Sequence, residues 1–162
     1  MEIKYKNIFG IEYNWKTLSL LIFLAVFPNI LGLFHTNVFG VRIHFFQYLI
    51  FLAAMIYGPF GGAIAGAFGS MYTAVALHNP YIIIGNIILG TLVGLFYKRI
   101  NIVIAVLLAY LIQLPWLWVT DIYIAGMPAS VVKGIVIGLL ISNIVMAFIA
   151  WGTAKRIKQL VV

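Results

Sequence analysis

The sequence of 162 residues contains no cysteine, and only 8% of its residues are charged. The lack of cysteine excludes disulfides, Cys-ligated zinc and thiol chemistry. Acidic residues are scarcest: three Asp and Glu stand against ten Lys and Arg, which gives a net charge of +7. Catalysis by paired acids, or by a nucleophile with its base, has few residues to use. We therefore expect no enzymatic activity, no cofactor and no metal site.

Hydrophobic residues are abundant instead, at 65% of the chain, and the mean hydropathy is +1.15. A soluble domain of this size leaves much of its surface in water and could not hide so much apolar surface. The composition therefore predicts an integral membrane protein with the lipid bilayer as its solvent. The length allows six or seven helical crossings in a single transmembrane domain, residues 1–162.

Apolar stretches bounded by turn residues predict an all-α membrane protein, a compact bundle of six transmembrane helices. The Gly58-Pro59 pair separates the second helix from the third, and Asn79 before Pro80 is a favourable start for the fourth. The predicted helices cover residues 17–34, 42–57, 60–77, 81–97, 102–119 and 129–153.

Several residues inside these helices predict local features. Pro28 and Pro115 should kink their helices or end them early. Ser142 and Asn143 lie near the middle of the sixth helix, where interhelical hydrogen bonds explain them best. Small residues four apart allow close helix packing in lipid, and three glycine pairs have this spacing: Gly62 and Gly66, Gly90 and Gly94, and Gly134 and Gly138.

The basic residues predict the orientation of the bundle, because cytoplasmic flanks of membrane helices are enriched in Lys and Arg. With both termini cytoplasmic, only Arg42 and Lys133 lie outside, and residues 1–16 form a short basic segment at the interface. This pattern predicts a multi-pass protein of the plasma membrane and gives no basic groove for nucleic acid. The predicted inner side holds Lys4, Lys6, Lys16, Lys98, Arg99, Lys155, Arg156 and Lys158.

Polar side chains gather toward the predicted outer face, which suits a pocket for a small-molecule substrate. Trp and Tyr offer stacking faces, while Gln, Asn, His and Arg offer directional hydrogen bonds. His44 and Gln47 are three apart and are expected on one helix face. The candidate substrate-binding residues are Asn37, Arg42, His44, Gln47, Tyr72, Asn86, Gln113, Trp116, Asp121 and Lys133.

Each candidate also has a simpler explanation. Trp116 suits an aromatic belt at the membrane interface, and Arg42 suits a side chain that reaches lipid headgroups. Asp121 is the only acid after Glu12, and a salt bridge with Arg42 or Lys133 would explain it. Convergence on a metal ion is a weak alternative for three histidines, at positions 35, 44 and 78.

The segment YGPFGGAIAGAFG, residues 57–69, together with Gly85-Asn86 and the pair Gly90 and Gly94, resembles the substrate-binding S components of energy-coupling factor (ECF) transporters. The region from Met127 to Lys158 looks similar as well. The resemblance implies six helices with both termini inside and capture of a vitamin or related micronutrient at the extracellular face, with the loop after helix one as a lid. The implied partners are an ECF transmembrane coupling subunit and two cytosolic ATPases, in which all ATP hydrolysis would lie.

One feature departs from the family. Many members carry an Ala-x-x-x-Ala pattern in helix one for docking, whereas Ala25 here has Leu21 and Asn29 four residues away. The main small residues available for docking in this helix are Ser19, Ala25 and Gly32.

The residues alone leave the substrate and two other functions open. Aromatics with Gln, Asn and a single Asp favour a flat, neutral heterocycle over a strong anion. A structural or assembly membrane subunit would need no ligand at all. A small solute facilitator would need a polar stripe that reaches the inner face. An ion-driven carrier is not expected, because acidic relays near the midplane are missing.

Overall fold

The computed structural model describes residues 14–38 and 41–160, and only the backbone of residues 35–38, 41 and 42. The described chain is helical apart from one short hairpin. Its elements are α1 (Trp15–Leu33), β1 (His35–Val38), β2 (Val41–His44), α2 (Gln47–Gly69), α3 (Met71–Ala76), α4 (Tyr81–Phe96), α5 (Ile102–Val119), a π-helical turn (Thr120–Ile124) and α6 (Ala129–Gln159).

The hairpin corrects the predicted start of the second helix. We expected this helix from residue 42, but β1 and β2 pair antiparallel there, and α2 begins at Gln47. Alternating β-branched residues such as Val41 and Ile43 suit a strand, and so short an apolar run does not distinguish strand from helix. His44 therefore lies on a strand rather than on a helix face shared with Gln47. Its backbone N–H donates to Ser142 Oγ at 3.0 Å, which joins the hairpin to α6.

The predicted second and third helices form one helical element, α2, that is broken at Gly58. Gly58 has φ 72° and ψ −158°, a conformation open essentially to glycine. Beyond Gly58 the chain folds back on itself. The evidence for this is the distance between Gly61 and Ala53: a Cβ placed on Gly61 would lie 2.9 Å from the carbonyl oxygen of Ala53. These two residues are eight apart in the sequence and would be about 12 Å apart in a straight helix. We call the two parts the first and second halves of α2.

The second half of α2 packs antiparallel on α4 through glycine. A Cβ on Gly62 would collide with the backbone of Gly90, and a Cβ on Gly94 would lie 2.5 Å from the backbone carbon of Gly58. We call this contact the glycine seam. It confirms the packing expected of the first two glycine pairs, whereas the third expectation is wrong at Gly134, where an added Cβ meets nothing within 4 Å.

The prolines of α1 and α5 do not end their helices. α1 continues past Pro28 to Leu33, and α5 continues past Pro115 to Val119. The loop expected from residue 120 instead begins with the π-helical turn, a local widening that often occurs at functional sites.

The turn between α3 and α4 is closed by backbone hydrogen bonds. Asn79 N–H donates to the Ala74 carbonyl at 2.9 Å, and His78 N–H donates to the Val75 carbonyl at 3.1 Å. This is the Schellman pattern of helix ends, and it holds His78 at φ 50°. Asn79 is thereby buried at the start of α4, where its Oδ1 accepts from Tyr81 N–H at 3.1 Å.

Most of the described basic side chains lie at one end of the bundle. The Tyr57 hydroxyl donates to the Thr17 carbonyl, and the Lys98 side chain lies beside Gly58, so the start of α1, the break in α2 and the end of α4 meet. Ala154 of α6 joins the same apolar cluster. We call this the basic end; the opposite end carries the hairpin, the His78 turn and the π-helical turn. The basic end holds Lys16, Lys98, Arg99, Lys155, Arg156 and Lys158.

Four helical segments are long and apolar enough to cross a membrane: Trp15–Leu33, Gln47–Ala76, Ile102–Ile124 and Ala129–Gln159. Large apolar side chains on the outside of the bundle point to the same solvent, for example Val75 at 74% exposed and Leu111 at 61%. So much exposed apolar surface is typical of contact with lipid rather than water. The described chain is thus a helical membrane protein with at least four candidate spans.

Candidate functional site

A cavity lies toward the end of the bundle opposite the basic end. The cavity and its open mouth together enclose about 610 Å³ of empty space. The first half of α2, α3, α4, α5, the π-helical turn and α6 all contribute to its wall. Its polar lining consists of His44, Gln47, Thr73, Tyr81, Asn86, Gln113, Trp116, Thr120 and Asp121.

Gln47 is the first residue of α2 and is only 2% exposed. Its Oε1 is buried without a hydrogen-bond partner among the described residues. Such an atom costs free energy in a folded protein, typically about 1–3 kcal/mol, unless water or a ligand bonds to it. Gln47 lines the cavity, but its Oε1 is not open to it, so a ligand could donate to this atom only after the side chain had turned.

Asn86 and Gln113 place two more amides on the wall. Asn86 donates from Nδ2 to the Ile82 carbonyl at 2.9 Å, which leaves its Oδ1 without a bond to the described residues. Gln113 is 5% exposed, and its Nε2 lies 3.2 Å from the position of a Cβ on Gly85. The absence of a side chain at Gly85 therefore opens the cavity beside Gln113.

Asp121 enters the lining from the π-helical turn. Its Oδ1 accepts from Asn79 Nδ2 at 2.7 Å, a buried hydrogen bond between the two connections at this end of the bundle. Among the described residues Asp121 has no ion pair, and Lys133 is exposed and outside the lining. The salt bridge predicted with Lys133 is therefore absent, and Asp121 instead accepts a hydrogen bond from the side-chain amide of Asn79. The side chain of the alternative partner, Arg42, is not among the described ones, so that pairing stays a prediction.

Trp116 and Tyr81 supply the aromatic part of the wall. Trp116 donates from Nε1 to the Tyr81 carbonyl at 3.1 Å, and the ring centroids lie 6.2 Å apart at 59°. The hydrogen bond fixes the indole edge, so that the ring contributes a rigid apolar surface to the cavity. Trp116 is half-buried inside the protein rather than placed only as an interfacial anchor.

The cavity ends on packed apolar residues. One or two turns farther toward the basic end, the same helices place Phe51 of α2, Leu89 of α4, Tyr110 of α5 and Met146 of α6 in one buried cluster. Each of these side chains is 2% exposed or less. The cavity is therefore closed toward the basic end in the described part of the chain.

The other candidate residues lie elsewhere or outside the described side chains. Asn37 and Arg42 face each other in the hairpin register, but their side chains are not among the described ones. Tyr72 lines a neighbouring cleft beside Gly32, and this cleft shares Thr73 and other wall residues with the cavity. The structure thus brings together His44, Gln47, Asn86, Gln113, Trp116 and Asp121, and leaves Tyr72 and Lys133 out.

Several lining residues were not predicted. Thr73 and Leu77 enter because α3 follows the second half of α2, and Met127 enters from the loop after the π-helical turn. Thr120 is fixed by its Oγ1, which donates to the Trp116 carbonyl at 2.8 Å. The sequence signal for most of them was weak, since an apolar lining residue looks like any core or lipid-facing residue.

Ser142 and Asn143 both depart from the interhelical hydrogen bonds expected of them. Ser142 Oγ accepts from His44 N–H of strand β2 rather than bonding to another helix. Asn143 is fully buried, and neither its Nδ2 nor its Oδ1 has a partner among the described residues. It does not line the cavity.

Among the described residues, no group of three His, Asp or Glu side chains could hold a metal ion. Comparison of the chain with protein-family profiles, with curated proteins and with solved structures gave no match. The function of the protein is therefore inferred from the geometry of the cavity and the chemistry of its wall.

Proposed function

We propose that this protein is the substrate-binding subunit of an ECF-type importer, which captures a small vitamin-like compound in the cavity from outside the cell. In this proposal the protein hydrolyses no ATP itself. It works with a transmembrane coupling subunit and two cytosolic ATPases.

The observation that carries the proposal is a cavity, closed toward the basic end, whose wall combines the Gln113 amide and the Trp116 indole with oxygens of Asn86 and Asp121 that no described residue pairs. A packing defect in a structural protein would be expected to be apolar and dry. Amides, a carboxylate and an indole around one cavity are instead the mixture typical of a site for a small polar ligand.

The proposal includes six membrane crossings with both termini in the cytoplasm. The fold-back at Gly58 would make the two halves of α2, the second continued by α3, separate crossings, and α4 would be another. The basic end would face the cytoplasm, in accord with the enrichment of Lys and Arg there. The cavity would then open to the outside.

Single cysteines test this topology without background, because the chain has no cysteine of its own. We expect a membrane-impermeant maleimide to label Ala125→Cys on intact cells and to leave Arg99→Cys and Lys158→Cys unlabelled until the cells are opened. All three positions are exposed, so that access to the reagent depends on the side of the membrane. Labelling of Arg99→Cys on intact cells would reverse the proposed orientation.

The docking surface for a coupling subunit would lie on α1, and two of the three small residues proposed for docking are turned toward the protein. Ala25 is 4% exposed, and its carbonyl oxygen faces Gly69; Gly32 faces Tyr72. Only Ser19 of the three small residues is exposed. The outer face of α1 instead carries larger apolar side chains, including Ile22 and Val26, for contact with lipid or with the partner.

Identification of a bound compound tests the proposed function directly. The protein, purified in mild detergent, is denatured, and the released small molecules are identified by mass spectrometry. We expect a vitamin-like compound that raises the melting temperature when it is added back. Release of no compound, together with no stabilisation by any micronutrient, would contradict the proposal and favour a structural subunit.

Trp116 and Trp118 form a matched pair for the next test, because only Trp116 lines the cavity. We expect Trp116→Leu to weaken binding of the released compound by about tenfold or more, since loss of an aromatic contact of about 1.5 kcal/mol corresponds to that factor. Trp118→Leu should bind as the wild type does, as measured by isothermal titration calorimetry. Equal affinities of the two variants would place the ligand away from this wall.

A small solute facilitator is the second candidate, and the closed inner end of the cavity argues against it. Flux of the bound compound into liposomes that contain this protein alone would favour the facilitator. Binding without flux would favour the capture subunit.

A further inference from the structure

Oxygen atoms in the wall of the cavity lack hydrogen-bond partners among the described residues. Asn86 Oδ1 is left over once Nδ2 has bonded to Ile82, and Asp121 Oδ2 is left over once Oδ1 has bonded to Asn79. A bound compound must bring N–H or O–H donors to these atoms, because buried polar groups in stable complexes are paired.

The wall also has free donors. The indole N–H of Trp116 donates to the Tyr81 carbonyl, and the Thr120 hydroxyl donates to the Trp116 carbonyl. The amides of Gln47 and Gln113 supply N–H groups that no described residue accepts, and the Tyr81 hydroxyl can either donate or accept. A ligand with acceptors alone would satisfy these donors and leave the unpartnered oxygens of the wall without a hydrogen bond.

The charge of the described lining has one sign. Asp121 is its only carboxylate, and no lysine or arginine side chain is among the lining residues that the structure describes. A carboxylate that is 6% exposed is stable as an anion only when donors or a cation surround it, and Asn79 supplies one donor. A cationic ligand group would complete the set.

Aromatic rings favour the same chemistry. Trp116 and Tyr81 stand together in the wall, and the faces of such rings attract a cation or a flat aromatic ring. Phe46, the residue before α2, adds its buried ring to the lining.

Resting on the proposed function, we propose that the captured compound is a small planar cation: an aromatic or heteroaromatic ring with an amidinium- or ammonium-type group that donates to Asp121, with a further donor for Asn86. This chemistry departs from the neutral heterocycle that the sequence favoured, because the structure leaves Lys133 outside the wall and gives Asp121 no described ionic partner.

Three probes of nearly equal shape test the charge preference: the benzamidinium cation, neutral benzamide and the benzoate anion. Binding is measured by calorimetry on the full chain in nanodiscs of zwitterionic phosphatidylcholine. This lipid has no net charge, so the bilayer does not concentrate the cationic probe. We expect benzamidinium to bind at least tenfold more tightly than benzamide, and benzoate to bind most weakly. Benzamide or benzoate binding as tightly as benzamidinium would overturn the inference.

Asp121→Asn tests the group that the inference invokes. The substitution keeps the shape of the side chain and an acceptor for Asn79, and it removes the charge. We expect the preference for benzamidinium over benzamide to fall to within about twofold, whereas Lys155→Gln at the basic end should retain the wild-type preference. An unchanged preference in Asp121→Asn would overturn the inference. The order of the three probes on the wild type decides the matter even if this variant does not fold.

The compound released from the purified protein separates failure of this inference from failure of the proposed function. A released cation whose binding Asp121→Asn weakens supports both. A released neutral or anionic compound that Asp121→Asn still binds overturns the inference and leaves the capture function standing. No released compound and no binding of the three probes would overturn both.

Discussion

Gly90→Val should prevent stable assembly of the bundle, with a loss of at least about 3 kcal/mol in the free energy of unfolding. A Cβ at Gly90 would collide with the backbone carbonyl of Gly62, and its next neighbour would be Ile50 Cγ2 at 3.1 Å. A side-chain end could move away at little cost, but this obstacle is the backbone of a packed helix. The second half of α2 and α4 would therefore have to separate along the whole glycine seam.

Gly134→Val is the matched control, because it introduces the same β-branched residue into a helix where an added Cβ meets nothing within 4 Å. Valine has a higher intrinsic helix preference than glycine, so we expect this variant to be as stable as the wild type or more stable by about 0.5 kcal/mol or less. Unfolding by sodium dodecyl sulfate in mixed micelles, followed by circular dichroism, measures both variants. Equal stability of the two would mean that the seam does not hold the bundle together.

Gly85→Leu should abolish high-affinity binding, with a loss of about 100-fold or more, which corresponds to about 2.7 kcal/mol. A Cβ at this position would lie 3.2 Å from Gln113 Nε2 and 3.4 Å from Trp116 Cδ1, both of which line the cavity. The remaining atoms of leucine would occupy space that the ligand needs. Titration calorimetry with the compound released from the wild type measures the effect.

Gly152→Leu controls for the added side chain, because an added Cβ at Gly152 has no neighbour within 4 Å and the residue lies near the basic end. It should bind as the wild type does. The melting temperature of both variants without ligand should stay close to that of the wild type, which separates a filled cavity from a misfolded protein. Full affinity in Gly85→Leu would move the site elsewhere, for example to the cleft lined by Tyr72.

The sequence predicted the helical class well and the boundaries unevenly. Long apolar runs gave α1, α4, α5 and α6 within a few residues, except that α6 continues to Gln159. The hairpin was missed because four-residue strands carry too short a pattern for their period to be read. The Gly58-Pro59 break was visible in the sequence, but the fold-back depends on a backbone conformation that only a three-dimensional contact reveals.

The candidate site was predicted in composition rather than in arrangement. Gln47, Asn86, Gln113, Trp116 and Asp121 were expected near one face, and all of them line the cavity. The predicted pairing of Asp121 with Lys133 was wrong, and the pairing with Arg42 lies outside the described side chains. Asn79, which was interpreted only as a helix cap, also donates to the Asp121 carboxylate. A capping residue and a buried hydrogen-bond donor look the same in a sequence.

The sequence by itself determined that lipid is the main solvent of this protein, since 65% hydrophobic and 8% charged residues leave no other medium for so small a chain. It also determined which end is basic and which end is rich in polar side chains, because both follow from the position of residues along helices of known rise. The tertiary structure decided which polar groups meet. Which polar groups meet depends on the rotation of each helix about its axis. This rotation is set by contacts such as the glycine seam, where two backbones touch. Glycine has no side chain, so the sequence does not indicate which helix it contacts.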